Sequence, residues 1–122
     1  MIGQQTSIVA TCFGGAGDRE FDAYGGMVDP TLPGVALPFH FHVNPLPQVR
    51  VICGDKSVVC AIVDVGPHSI NDPYWLTAAR PQAERATGNK AGIDLTPAVF
   101  AALGIGPTDP AFGLTKVSWE FV

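Results

Sequence analysis

Short segments in which apolar and polar residues alternate recur along the chain, and they predict a protein built mainly of β-strands. The clearest example lies near the C-terminus, where Val117, Trp119 and Phe121 alternate with polar residues. Such alternation is typical of a strand with one face in the core and the other towards solvent. Strands are predicted over residues 6–13, 35–43, 48–53, 57–65 and 114–122.

Helical patterns are few and short. Segment 96–103 is the clearest helix, because Thr96 suits the N-cap and Pro97 suits the first helical position. Gly104 suits the exit from that helix. The long excursion over residues 66–92 contains two further short helices in this interpretation, around 75–79 and 81–86.

Length and composition indicate one globular unit, and we predict a single domain over residues 1–122. Hydrophobic residues make up 47% of the chain and charged residues only 15%, which excludes a disordered polypeptide. The net charge of −4, with 7 scattered Lys and Arg residues, argues against nucleic acid or anionic membrane as partners. No apolar run is long enough to span a membrane, and the first residues lack the pattern of a signal peptide.

The cysteines leave the redox state open. Cys53 and Cys60 flank the tip of a predicted hairpin. If Lys56 and Ser57 form the loop, the two cysteines face each other and a disulfide can form, whereas a loop at 55–56 places them out of register. The spacing of Cys and His residues predicts no metal site.

Two aspartates stand where an apolar segment meets a chain reversal. Asp64 follows the apolar run 58–63 and leads into a Gly-Pro turn, and Asp94 precedes Thr96 and Pro97. A side chain at a strand end is held firmly while the turn exposes it, so both are candidate ligand-contacting or catalytic acids. The alternative is structural: Asp64 as the cap of its turn, and Asp94 as the cap of the following helix.

Four ordered segments resemble the double-psi β-barrel family of rare lipoprotein A, the expansins, barwin-like proteins and glycoside hydrolase family 45. The resemblance implies a six-stranded double-psi β-barrel with one or two short helices. The segments span nearly the whole chain: Ile8–Gly15, Ala36–Phe39 with Val49–Val51, Ile62–Pro67, and Gly92–Phe100 with Leu103, Gly104 and Val117–Trp119.

The same resemblance implies peptidoglycan or a related polysaccharide as partner and a lytic transglycosylase-like activity without a cofactor. Asp64 and Asp94 match the family's acidic motifs, and Asp22 matches a further acid. The alternative is a non-catalytic, expansin-like wall-binding module or a phage tail-tip protein that assembles with other virion or cell-envelope proteins. Either function implies the cell envelope or the extracellular space, reached without a signal peptide in this chain, for example in a virion.

Aromatic residues and one histidine supply candidate sugar contacts, because aromatic faces stack on pyranose rings. Tyr24, Tyr74 and Trp75 are the predicted platforms, with a loop-anchoring role as the alternative for Trp75. His68 follows Pro67 and is a candidate partner of Asp64, or else a solvated loop residue. His40 and His42 are assigned to the polar face of the predicted strand 35–43.

Overall fold

The computed structural model describes residues 3–15, 23–67, 71–77, 79–86 and 88–122. Six strands within these ranges form a closed barrel, which confirms the prediction of a mainly β, six-stranded barrel with short helices. Among the described residues, no helix is long and apolar enough to cross a membrane. The elements are β1 (Gln5–Cys12), β2 (Gly34–Leu37), β3 (Gln48–Cys53), β4 (Lys56–Val65), β5 (Ile93–Leu95), α1 (Pro97–Ala102) and β6 (Leu114–Phe121), with 3₁₀ turns at Tyr74–Leu76 and Gln82–Arg85.

The strand order places β2 between the two strands that carry the candidate acids. Around the barrel the order is β1, β5, β2, β4, β3 and β6. The pairs β1–β5 and β2–β4 are parallel, and the remaining pairs are antiparallel. Because β2 is bonded to β4 on one side and β5 on the other, its residues Val35 and Ala36 have register partners on both strands.

The hairpin of β3 and β4 excludes the disulfide considered above. Its turn consists of Gly54 and Asp55, so Cys53 pairs with Lys56 while Cys60 pairs with Val49. Gly54 has φ +63°, a backbone conformation that glycine adopts readily at the first position of a tight hairpin turn. Both loop positions proposed from the sequence are therefore wrong, and Cys53 and Cys60 are separate thiols. Burial raises the pKa of the Cys60 thiol to about 12.

Strand β2 is much shorter than the predicted strand 35–43, since it ends at Leu37. Among the described residues beyond Pro38, an isolated bridge between Phe39 and Asn71 is what continues the pairing. The apolar alternation has another cause: Phe39 and Phe41 pack against the ring of Trp75, at centroid distances of 6.1 and 6.0 Å. Side chains can alternate towards a core without a continuous hydrogen-bonded ladder.

Helix α1 begins and ends where the sequence predicts, but its N-cap residue does not make the expected capping hydrogen bond. Thr96 occupies the N-cap position without a side-chain capping bond. Its hydroxyl instead donates to the carbonyl oxygen of Leu32 at 2.8 Å and accepts the N–H of Gly34 at 3.1 Å. Thr96 therefore fastens the segment before β2 to the start of the helix.

Candidate functional site

The two candidate aspartates flank one small residue of β2. Ala36 pairs with Asp64 on β4 and with Asp94 on β5. Residues in register on adjacent strands point to the same face, and two strand spacings separate the aspartate Cα atoms by about 10 Å. Ala36 alternates with the core residues Val35 and Leu37, so this face is the outer side of the barrel wall, although Ala36 itself is covered and only 1% exposed. We call Asp64, Ala36 and Asp94 the acidic row.

A β-bulge sets the side on which Asp64 emerges. Val35 pairs with Ile62, but the next residue of β2, Ala36, pairs with Asp64, so β4 has one extra residue, Val63, at this point. With regular pairing Val63 would face Ala36, and Asp64 would point inwards beside Leu37. The bulge therefore moves the carboxylate from the core side to the outer side, which is a recurrent use of bulges near functional sites.

The carboxylate of Asp64 is half-buried and its Oδ1 atom is held by the backbone. Oδ1 accepts the N–H of Ala23 at 2.9 Å and that of Val65 at 2.8 Å. The first bond ties the segment after residue 22 to the end of β4, and the second belongs to the turn-capping role foreseen as the structural alternative. Because both bonds end on Oδ1, Oδ2 is the atom through which Asp64 would reach a ligand.

Asp94 lies on β5 rather than at the helix start, so it does not cap α1. Its Oδ1 atom accepts the hydroxyl hydrogen of Thr11, which is its register partner on β1. Its Oδ2 atom lies close to the backbone of Gly66, where an added Cβ would stand 3.6 Å from it. The strand-end turn after Asp64 and the carboxylate of Asp94 therefore border the same small region.

Tyr24 lies beside the acidic row as part of a partly exposed group of rings. It directly follows Ala23, the residue whose N–H is bonded to Asp64. Its ring meets the edge of His40 at 4.9 Å with an interplanar angle of 80°, and His40 stacks on His42 at 4.6 Å and 22°. Tyr24, His40 and His42 form what we call the ring cluster. From the sequence, the two histidines were assigned only to a polar strand face. The alternation Phe39-His40-Phe41-His42 could have indicated that both histidines lie on the same exposed side.

Tyr74 and Trp75, two of the predicted sugar platforms, are core residues. Their side chains are only 2% and 4% exposed. Tyr74 donates its hydroxyl hydrogen to the carbonyl oxygen of Gly92 at 2.8 Å and accepts the indole N–H of Trp119 at 3.0 Å. Burial raises the pKa of Tyr74 well above its usual range. Neither ring presents a face to a ligand, so the loop-anchoring alternative holds for Trp75.

Two further predicted site residues, Asp22 and His68, lie outside the described residues. Of the predicted site, the structure therefore brings together Asp64, Asp94 and Tyr24. Within the described ranges, no group of three or more His, Cys, Asp or Glu side chains is arranged to hold a metal ion.

Two hollows lie away from the acidic row. One, of about 650 Å³, lies in the excursion around Asp72 and Arg80. Arg80 is engaged there with Glu84 at 2.6 Å and with the carbonyl oxygens of Thr6 and Ser7, both at 2.8 Å. The other, of about 500 Å³, is apolar and adjoins α1; its lining is Pro30, Thr31, Pro33, Pro97, Ala98, Ala101, Ile105, Pro107 and Phe112.

Comparison with known families gives a match over residues 4–84 to the model described as "Domain of unknown function (DUF8814)". The match covers β1 to β4 and includes Tyr24 and Asp64. The chain belongs to this family. No curated protein matches the chain. Among solved structures it is similar to the Streptomyces papain inhibitor, with a TM-score of 0.60 and 19% identity over 98% of this chain and 94% of that chain.

These findings correct the family resemblance inferred from the sequence. The family shown is DUF8814, and the solved structure reported above is a papain inhibitor rather than a member of the rare lipoprotein A and expansin group. The short motifs that suggested that group describe a strand, an acid and a turn, and such units recur in unrelated β-barrels. At this level of identity the likeness to the inhibitor shows the fold alone.

Proposed function

We propose that the acidic row binds and cleaves a polysaccharide strand, with peptidoglycan as the first substrate to test. The observation that carries the proposal is the bulge at Val63, which turns Asp64 onto the outer face that Asp94 already occupies. Two half-buried carboxylates therefore stand on the same face, on either side of the buried residue Ala36. Paired carboxylates of this kind are the usual machinery of glycosidic bond cleavage.

The proposed reaction needs one acid that also acts as a base. Asp64 Oδ2 protonates the glycosidic oxygen, and the bond from that oxygen to the sugar C1 breaks. The same carboxylate then takes the proton from the C6 hydroxyl of that sugar, whose oxygen bonds to C1 and closes a 1,6-anhydro ring. The products are an anhydro end and a new hydroxyl end, and no water is consumed. The charge of Asp94 stabilises the positive, oxocarbenium-like transition state.

Simple hydrolysis is the competing chemistry at the same site. Inverting glycosidases hold their two carboxyl groups roughly 6.5–9.5 Å apart so that a water molecule fits between one of them and the sugar. A Cα separation of about 10 Å is compatible with that spacing when the side chains lean towards each other. The products distinguish the two routes, since hydrolysis yields reducing ends and the intramolecular route yields anhydro ends.

The test is digestion of purified peptidoglycan sacculi, with released fragments identified by mass spectrometry. We expect anhydro fragments from the wild type and a loss of at least a hundredfold in Asp64→Asn and tenfold in Asp94→Asn. Asp55→Asn is the matched control, because Asp55 lies in the exposed turn at the other end of β4. Equal release by all variants would contradict the proposal. Sedimentation of the protein with sacculi without release would leave the non-catalytic wall-binding module.

Inhibition of a papain-like protease is a second candidate. It is favoured by the likeness to the Streptomyces papain inhibitor, which extends over nearly the full length of both chains. An inhibitor would need no reactive carboxylate, only a rigid exposed surface. Titration of papain with the wild type and with Asp64→Asn should then give equal, stoichiometric inhibition. No inhibition at a hundredfold molar excess would exclude this candidate.

A further inference from the structure

We infer that the ring cluster of Tyr24, His40 and His42 is a sugar subsite that extends the acidic row and takes one amino-sugar pyranose by stacking. The inference rests on the proposed glycan function and identifies the part of the surface that binds the glycan strand next to the acidic row. It assigns a ligand contact to two histidines that the sequence placed only on a polar strand face.

The position of the cluster supports this role. The N–H of Ala23 is bonded to Asp64 Oδ1 at 2.9 Å, and Tyr24 is the next residue. A glycan strand bound at Asp64 therefore has Tyr24 close by, and the two histidine rings continue from Tyr24. His40 and His42 are exposed, whereas the alternating residues Phe39 and Phe41 pack against Trp75.

The rings are also held in place before any ligand arrives. The hydroxyl of Tyr24 accepts the N–H of Phe41 at 3.1 Å and donates to the carbonyl oxygen of Phe39 at 3.4 Å. These bonds join the segment at Ala23 and Tyr24 to the backbone that carries both histidines. Pre-organised rings lose little conformational entropy on binding, which is why rigid aromatic side chains are effective ligand contacts.

The chemistry of the cluster fits an amino sugar. Aromatic faces stack on the C–H groups of a pyranose, and Tyr24 and His42 are the outer rings of the cluster. The imidazole nitrogens add one donor and one acceptor for each neutral ring, which suits an acetamido group and sugar hydroxyls. The near-parallel stack at 4.6 Å and 22° disfavours joint metal binding, because a metal bound by two imidazoles lies in the plane of each ring.

The experiment measures binding in the Asp64→Asn background, so that cleavage does not consume the ligand. Peptide-free glycan strands of peptidoglycan are titrated into ¹⁵N-labelled protein at pH 7.5, and affinity is read from amide and imidazole shifts. We expect the double variant His40→Ala/His42→Ala to bind at least tenfold more weakly and His42→Phe, which keeps a ring face, to stay within threefold of the parent. Leu114→Ala, at a side chain 54% exposed on β6, is the control and should bind as the parent does.

Unchanged affinity in the double variant would overturn the subsite, as would a His42→Phe variant that binds as weakly as the double variant. No binding by the Asp64→Asn parent would overturn it too. The sacculus digestion tests the proposed cleavage separately. If the wild type releases fragments but the ring variants bind glycan as the parent does, only the subsite is refuted. If binding depends on the rings but no fragments are released, only the cleavage is refuted.

Discussion

Replacing Tyr74 with phenylalanine should destabilise the protein by about 2–4 kcal/mol, because the lost hydroxyl satisfies two buried groups. It accepts the indole N–H of Trp119 at 3.0 Å and donates to the carbonyl oxygen of Gly92 at 2.8 Å. The side chain is 2% exposed, so water does not replace either bond. Phenylalanine keeps the packing of the ring but leaves a donor and an acceptor without partners, and each costs about 1–3 kcal/mol.

Tyr24→Phe is the matched control, since it removes a hydroxyl that also makes two backbone hydrogen bonds. Tyr24 is only half-buried, so water can reach the groups that it leaves behind. We expect this variant to lose less than about 1 kcal/mol.

The assay is urea-induced unfolding, with the free energy of unfolding of wild type and both variants fitted with a shared m-value. A loss below about 1 kcal/mol for Tyr74→Phe, or equal losses for the two variants, would refute the reasoning that burial decides the cost. Tyr74→Phe should also leave glycan binding unchanged at temperatures where it is folded, because its ring does not face a ligand.

Three further predictions follow from single residues. The Cys60 thiol should resist a thiol-specific reagent at pH 8 until the protein is unfolded, since burial raises its pKa to about 12; reaction in the native state as fast as that of a free thiol would contradict this. Gly92→Ala should destabilise the protein by about 1–3 kcal/mol in urea unfolding, because its Cβ would stand 2.7 Å from a proline ring carbon, whereas Gly106→Ala, with open space around it, should be nearly neutral. Asp64→Ala, which removes the acceptor of two backbone N–H groups, should lose about 1–3 kcal/mol, and Asp64→Asn, which keeps an acceptor oxygen, clearly less; similar losses would contradict this role of Oδ1.

Local patterns were sufficient for the elements whose stability is decided locally. Strands β3, β4 and β6 follow from alternation, and α1 follows from Pro97 at its start and Gly104 at its end. The hairpin was predicted but its register was not, because the sequence does not show that Gly54 adopts φ +63° at the first turn position.

Burial of Tyr74 and Trp75 could not be predicted in the same way. Their segment has no periodicity, and its position is decided by contacts with distant residues, such as the hydrogen bond to Trp119 and the packing of Phe39 and Phe41. An aromatic pair in a long loop can either bind a ligand at the surface or pack into the core, and the sequence does not distinguish these two roles. Only the assembled barrel separates the two roles.

The position of Asp64 depends on a bulge that strict alternation hides. Ile62 points into the core, so a regular strand would direct Asp64 inwards too, where an unpaired carboxylate is very costly. The extra residue, Val63, relieves that cost and at the same time aligns Asp64 with Asp94 across Ala36. Folding thus requires only a polar acceptor at position 64, whereas the proposed chemistry requires an acid that gives up and regains a proton. Asparagine meets the first requirement and fails the second, so a stable but inactive Asp64→Asn variant would show that the bulge serves the reaction as well as the fold.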